Sequence, residues 1–428
     1  MEIKNSGPKK EKANTGKKFR EMDLDEKLDF LRNRGASDDA IATYRKGQMR
    51  EFANNNEGSL GLPTKAPNGE NQFSWFFMSQ GLVTQITVNG KDRMVPVVVE
   101  EPSVISAASN AAKWVIGGFT SRPLHPDDAT CTVGQVQIVG VPQERIEQKI
   151  EEVRNNFETL KKIADKTSET LRKEGRGFKY VEPKRISTTV GEMIIIDFLA
   201  DCAEAMGANQ VSKMAEAIAD KLAQITGGRY IGRILSNMAV ERTIECMAVF
   251  DKSKLALEKT ITDVHGNEKR LSFSGDEMVE KIVALAAWAE EDQRRATTHN
   301  KGIMNGISSV ALALGQDTRA IEAAAHSYAA KNGRYMPLSY FDTDDGGNLI
   351  ATLEVPIPIG TVGTAITKNE MASANLGIMQ CRSSLEVAEV MAAVGLAQNV
   401  SAMRMLAGEG IVGGHIPSDK RMKEQKRN

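Results

Sequence analysis

Gly134-Gln-Val-Gln-Ile-Val-Gly-Val141 has strand character, and the periodicity on its C-terminal side decides the fold. Residues 142–174 place Ile146, Ile150, Val153, Phe157 and Leu160 on one face of a predicted long helix, which Gly175-Arg-Gly177 stops. Two strands are expected next, at 178–187 and 192–199. A second amphipathic helix then turns Val211, Met214, Ile218, Leu222 and Ile225 inward and closes at Gly227-Gly228, before a last strand near Tyr230. The order is β-α-β-β-α-β, a ferredoxin-like unit. Stretches with chemical rather than packing character lie on both sides of it, so the unit reads as an insertion. The expected class is α+β. A large mixed α/β catalytic domain is formed by 24–127 and 239–407, and a small inserted domain by 128–238. A mobile basic tail occupies 1–23, and a short closing hinge and tail 408–428.

Working outward, the chain has 428 residues, enough for two or three domains. A hydrophobic share of 41% and a charged share of 26% describe an ordinary globular protein. The net charge of -1 gives no global electrostatic case for nucleic acid or an anionic membrane. Cys131, Cys202, Cys246 and Cys381 are scattered with no CxxC pair, which argues against a disulfide framework or a thiolate metal site. No apolar run reads as a membrane span and the charged N-terminus lacks a signal-peptide core, so a cytoplasmic location is expected.

On the N-terminal side, Asn89-Gly90 between two apolar runs predicts a hairpin, with Pro96 pointing to a free edge or a local irregularity in its second strand. The second strand runs into Glu100-Glu101-Pro102-Ser103 ahead of an Ala-rich helix. Ser103 can be read as its N-cap, and the two carboxylates as company for its dipole or as an acid at a strand-to-helix turn. The run Phe73-Ser-Trp-Phe-Phe-Met78 reads as a buried strand or a partner surface.

On the C-terminal side, Arg295-Ala-Thr-Thr-His-Asn-Lys-Gly-Ile-Met-Asn-Gly306 reads as a polar connection between two helices. It holds Arg295, His299, Asn300, Lys301 and Asn305. Gly302 and Gly306 would let the backbone approach the neighbours of Lys301. A solvated loop is the alternative. A hairpin is expected around Val264-His-Gly-Asn267, and a helix at 385–407.

Two motifs mislead. Gly408-Glu-Gly-Ile-Val-Gly413 matches GxGxxG but comes after a helix with no βαβ unit beyond it, so it is not a dinucleotide fingerprint. Arg176-Gly-Phe-Lys-Tyr-Val181 is similar to part of an RNA-recognition octamer, yet it falls on the second strand of its unit, and the first strand lacks the companion aromatic. No nucleic-acid partner is expected.

Set together, Val99-Glu-Glu-Pro-Ser103, Glu204-Ala-Met-Gly-Ala-Asn209, Thr298-His-Asn-Lys-Gly302, Val394-Gly-Leu-Ala-Gln-Asn399 and Gly414-His415 resemble one family: hydroxymethylglutaryl-CoA reductase in its soluble class II form. The resemblance runs from about Asn54 to His415. It implies reduction of the hydroxymethylglutaryl-CoA thioester to mevalonate and CoA with two NAD(P)H. It also implies a homodimer, or a multiple of one, with interfacial sites. Lys301 would meet the carbonyl oxygen and Glu101 would donate a proton. Asp317 would tune both, and His415 would protonate the departing CoA thiolate. Ser103 and Arg295 would hold the free carboxylate of the substrate, with Asn305 and Gln398 lining the site. Met206, Gly207, Ala208 and Asn209 would open a helix toward the cofactor pyrophosphate, and Asn237 would join them.

NADH-preferring members carry an acid near the end of the preceding helix. Ser168 stands at that position, with Lys166, Arg172 and Lys173 near and Asp165 and Glu169 as neighbouring acids. NADPH is therefore expected, with NADH the alternative, and no metal. Rival readings are the same enzyme oxidising mevalonate, and a CoA-thioester-binding protein without catalysis. The chain departs from the family at Asn54-Asn-Asn-Glu-Gly58, where a leading glutamate is absent. It departs again at Glu204, where aspartate is usual, and in the short tail after His415.

Overall fold

The computed structural model describes residues 22–33, 37, 38, 41, 42, 78–262, 268–363 and 369–410. The N-terminal motif at 54–58, the aromatics at 73–77, the turn at 264–267 and His415 lie outside them. The chain separates into a unit at Met1–Ser79 and a unit at Gln80–Asn428. In the first, helix α1 (Leu24–Asn33) opens on a reciprocal cap: the Asp23 amide donates to Glu26 and the Glu26 amide to Asp23, both at 2.9 Å.

The second unit begins with β1 (Gln80–Val88) and β2 (Lys91–Val98), paired antiparallel. Asn89 and Gly90 take φ of 51° and 72°, the left-handed pair that a two-residue turn needs to match strand twist. Then come α2 (Pro102–Ala111), β3 (Val115–Pro123) and β4 (Cys131–Val139). The long helix predicted after β4 is three helices: α3 (Ile146–Asn155), α4 (Phe157–Asp165) and α5 (Glu169–Lys173). Asn156 leaves helical geometry between the first two, and Ser168 caps the third. A continuous apolar stripe cannot reveal such breaks, because all three pieces keep one face on the same core.

Strands β5 (Gly177–Thr188) and β6 (Gly191–Asp201), helix α6 (Ala208–Thr226) and β7 (Arg229–Leu235) complete that part. Its sheet has the order β5-β6-β4-β7, all antiparallel. Phe178, the first aromatic of the octamer-like run, is fully buried and stacked on Phe198 at 5.0 Å. It is therefore core and not a platform for bases.

The chain continues through β8 (Thr243–Phe250), α7 (Lys252–Leu255) and the antiparallel pair β9 (Leu257–Thr262) and β10 (Glu268–Phe273). Helices α8 (Gly275–Glu291), α9 (Gln293–Ala313) and α10 (Thr318–Ala329) come next. Then come β11 (Ser339–Thr343), β12 (Leu349–Pro356), α11 (Glu370–Met379) and α12 (Ser384–Ala407). The larger sheet runs β11-β12-β8-β3-β1-β2, which puts Pro96 on an edge strand, where a missing N–H costs no ladder bond. The fold is α+β, with separate apolar cores for the two sheets.

Helix α12 corrects the expectation that no apolar run could span a membrane. By length and composition it could, but its residues from Val387 to Val400, except the half-buried Glu389, are buried. It packs along α9, against α2 and on β3, β8 and β12. A Cβ on Gly395 would meet Ile307 at 2.8 Å, and one on Gly306 would meet the Val394 carbonyl oxygen at 2.9 Å. The helices cross where neither has a side chain. Gly306 therefore serves this crossing, whereas Gly302 has nothing within 4 Å of its missing Cβ. Replacing Gly395 by Ala should lower unfolding stability by about 1–3 kcal/mol. Urea denaturation checks this, and an unchanged midpoint would show that the crossing has slack.

Candidate active site

The Arg295–Gly306 stretch is not a loop. It lies inside α9, whose first turn is capped by the Asp292 carboxylate accepting from the Arg294 and Arg295 amides. Two glycines, two threonines and two asparagines lower helix propensity. Packing overrides them: Ala296, Ile303, Ile307 and Val310 are fully buried on the inner face. Lys301, Asn305 and Ser308 stand on the opposite face at i, i+4 and i+7, with Lys301 exposed.

Polar side chains fill the inner face where α9 meets α12. His299 and Ser339 lie 2.6 Å apart, and the Ser339 hydroxyl donates to Asn399 Oδ1 at 2.8 Å. That serine proton is committed, so the His299 Nε2–H must be the donor to Ser339, which leaves Nδ1 as a buried acceptor without a partner. Asn300 closes its own ring, donating to the Met336 carbonyl and accepting from the Leu338 amide, both at 2.9 Å. Sequence reasoning reaches His299 and Asn300 without giving them this role, and it misses Ser339 and Asn399. The available signal is spacing, because His299 and Asn300 continue the inward stripe from Ala296 to Ile303.

Arg295 is 8% exposed. One guanidinium nitrogen donates to the Met403 thioether at 3.1 Å, Trp288 flanks it at 5.8 Å, and Nε has no partner. Burial holds the guanidinium below its ordinary value. Gln398 is likewise buried, with Oε1 unmatched. A buried cation satisfied by sulfur and ring faces retains capacity for an anion.

Glu101 corrects the reading of Ser103 as the helix cap. Its own carboxylate caps α2, accepting from the Ser103 amide at 3.1 Å, with Pro102 at the first helical position. Glu101 is exposed and Ser103 half-buried. Asp317 caps α10, accepting from the Arg319 and Ala320 amides and from the Arg319 guanidinium at 3.1 Å. Burial pushes its carboxyl up, but the Arg319 hydrogen bond and the helix N–H groups carry it below the ordinary range. Helix α9 packs against both α2 and α10, so the elements bearing Glu101, Lys301 and Asp317 are neighbours.

Met206, Gly207, Ala208 and Asn209 stand at the start of α6. Gly207 takes φ of 102°, and a Cβ there would lie 2.7 Å from the Cys202 sulfur. No side chain caps this helix, Asn209 included, so its first N–H groups are unclaimed by a side-chain cap. Thr132 donates to the Met206 carbonyl, and the Ser236 amide bonds to Val133, which brings the segment bearing the exposed Asn237 to the same end of β4. Ser168 accepts from the Leu171 amide. Of the neighbouring acids, Asp165 is taken by Lys161 at 3.0 Å and the Phe178 amide at 2.9 Å, and Glu169 by Lys173 at 2.9 Å. Among the described residues no cluster of three His, Cys, Asp or Glu could hold a metal ion.

Residues 40–419 match the family model for hydroxymethylglutaryl-coenzyme A reductase. The chain is 40% identical over 362 residues to the 3-hydroxy-3-methylglutaryl-coenzyme A reductase of Archaeoglobus fulgidus, spanning 84% of this chain and 77% of that protein. It is 31% identical over 348 residues to the probable reductase of Borreliella burgdorferi, spanning 81% and 75%. Among solved structures, the class II reductase of Streptococcus pneumoniae bound to NADPH in open conformations superposes with a TM-score of 0.72 at 28% identity, covering 91% of this chain and 98% of that one.

The buried histidine has a measurable signature. Burial, with the charge of Arg295, pushes His299 from 6.5 down to about 3. The folded imidazole stays neutral where the unfolded one takes a proton, so stability is lost as pH falls from 6.5 toward 3. The slope from this one group approaches about 1.4 kcal/mol per pH unit. Unfolding free energy measured from pH 6.5 to about 5, above most carboxylate titration, should fall less steeply in His299→Gln than in the unsubstituted protein.

Proposed function

The chain belongs to the hydroxymethylglutaryl-coenzyme A reductase family, and from that premise we propose how its residues serve the reaction. It reduces the thioester of 3-hydroxy-3-methylglutaryl-CoA to mevalonate and CoA, consuming two NADPH and two protons. Reduction proceeds in two hydride additions, the first to the thioester and the second to the aldehyde left after CoA departs. Each addition builds negative charge on a carbonyl oxygen, which a fixed cation must meet. Lys301 is that cation, on the outer face of α9 where substrate can reach it. Glu101 supplies the proton to the oxygen, and Asp317 stands on the neighbouring helix to tune both.

The observation that carries this reading is Arg295: a buried guanidinium with an unmatched Nε, on the same helix as Lys301. It suits the free carboxylate of the substrate, with Ser103 as second donor and Asn305 and Gln398 lining the site. His415, in the segment after 410, protonates the departing thiolate.

The cofactor residues fit a pyrophosphate. An uncapped helix start with a left-handed glycine presents N–H groups and the positive end of the helix dipole. Met206, Gly207, Ala208, Asn209 and Asn237 would hold it, and the nicotinamide, when bound, supplies hydride. With Asp165 and Glu169 both committed to lysines, the Ser168 region offers the ribose no free acid and does not repel a 2′-phosphate. NADPH is the expected cofactor.

Glu101 and Lys301 are exposed on the single chain, and the Asp317 side chain is 42% exposed. Hydride transfer requires exclusion of water, so a second subunit must cover them. We therefore read a homodimer, or a multiple of one, with interfacial sites, acting in the cytoplasm.

Cofactor oxidation monitored at 340 nm (a property of NADPH) with hydroxymethylglutaryl-CoA tests the reading. Lys301→Ala should lower kcat by about a thousandfold. His415→Ala should slow thioester reduction while sparing reduction of added mevaldehyde. Turnover comparable to the unsubstituted enzyme in Lys301→Ala, or a strong preference for NADH, would overturn the corresponding assignment.

A further inference from the structure

Gln316 has no part in the reaction as described, yet its side chain reaches from the residue before Asp317 to the backbone beside the start of α6. It stands between the end of α9, where Gly315 takes φ of 61°, and Asp317, the cap of α10. Its amide grips one residue at two points. Nε2 donates to the Gly360 carbonyl at 2.9 Å, and Oε1 accepts from the Gly360 amide at 3.1 Å. A glutamine can do this because its side chain carries a donor and an acceptor side by side. Gly360 is buried, where backbone groups must find partners within the protein.

Gly360 also lies against the turn between β6 and α6. A Cβ on it would sit 2.6 Å from the Met206 amide nitrogen, 2.9 Å from the Glu204 carbonyl oxygen and 3.0 Å from the Ala205 carbonyl carbon. The two backbones are therefore in direct contact, and only glycine permits it. The residues on either side of Gly360 are tied to the same turn. The Thr361 amide donates to the Glu204 carbonyl at 2.8 Å. The Ile359 and Ala205 carbonyls both accept from the Arg242 guanidinium, at 3.0 Å and 3.1 Å. Residues 359–361 thus form a backbone bridge, held by Gln316 next to Asp317 and by 204–206 next to α6.

We propose that Gln316 is a positioning residue for the reduction: by clamping Gly360 against the Met206 turn, it sets the separation between Asp317 and the cofactor. This rests on the reading of Asp317 as part of the reacting set and of 206–209 as the pyrophosphate site. Hydride transfer needs the cofactor and the groups around the developing oxyanion in one register. A displacement of about 1 Å arising away from the chemistry can cost on the order of a hundredfold in rate. Gln316 acts through the backbone, since Asp317 is the next residue along the chain and Gly360 touches Met206 directly.

The test uses the full chain with hydroxymethylglutaryl-CoA and NADPH. Gln316→Met keeps the side-chain length and removes both hydrogen bonds. Titration with NADPH counts the intact cofactor sites, so kcat is expressed per site and is insensitive to a loss of folded protein. In Gln316→Met, kcat per site should fall by about tenfold while KM for NADPH stays within about twofold. Gln316→Glu keeps the length and the acceptor for the Gly360 amide, and should recover part of the loss. Where Gln316→Met yields no folded protein, Gln316→Glu decides. Parent-like kcat per site in the deciding variant overturns the proposal. A fall in total activity that matches a fall in the number of sites overturns it equally. Full turnover by Asp317→Asn, or an unchanged KM for NADPH in Asn209→Ala, would instead overturn the underlying assignments.

Discussion

The relation between the two cores depends on one buried cation. Arg242 is 3% exposed, and its guanidinium donates to four carbonyls: Cys131 at 2.8 Å, Ile359 at 3.0 Å, Thr130 at 2.7 Å and Ala205 at 3.1 Å. These are the entry into β4, the segment before α6, and the strand end that leads toward α11. A guanidinium can do this because its donors are planar and diverge, whereas an ammonium could not reach four separated carbonyls. Each carbonyl left unmet in a buried place costs about 1–3 kcal/mol, so the arrangement of these segments is strongly determined.

Glu204 adds a second tie beside it. Its backbone carbonyl accepts from the Thr361 amide at 2.8 Å, and its carboxylate accepts from the Thr361 hydroxyl at 3.0 Å and the Ser384 amide at 2.5 Å. The acid that precedes the start of α6 therefore also caps α12, the helix that carries Gln398 and Asn399. A Cβ on Gly360 would lie 2.6 Å from the Met206 amide, so the backbones touch here as well.

How much of this was legible depends on which forces leave a local trace. The Asn89-Gly90 turn, the edge position of Pro96 and the β-α-β-β-α-β order were readable because turn chemistry and periodicity are properties of neighbouring residues. The course of α9 was not, because its helicity is imposed by burial against α12, a helix distant in sequence. Its inward stripe runs through the polar His299 and Asn300, which look like surface residues until Ser339, Asn399 and the 336–338 backbone are brought to them. The breaks at Asn156 and Ser168 were hidden for the opposite reason, since the apolar stripe runs through them undisturbed.

The side chains proposed for the reaction were named from the family resemblance, and the structure gives each a local setting of its own. Glu101 and Asp317 are helix caps, although the sequence alone pointed to Ser103 for the first of them. Lys301 stands beside glycine on an outer face, where a charge needs no partner to exist. Arg295 and His299 are the informative opposites. A buried arginine bonded to a thioether and a buried imidazole with an orphaned nitrogen are both costly, and the glycine-mediated crossing of α9 and α12 holds them in place. The crossing thus does two things at once. It fixes the helix that presents Lys301 outward, and on the opposite face it keeps a cation dry enough to value a carboxylate.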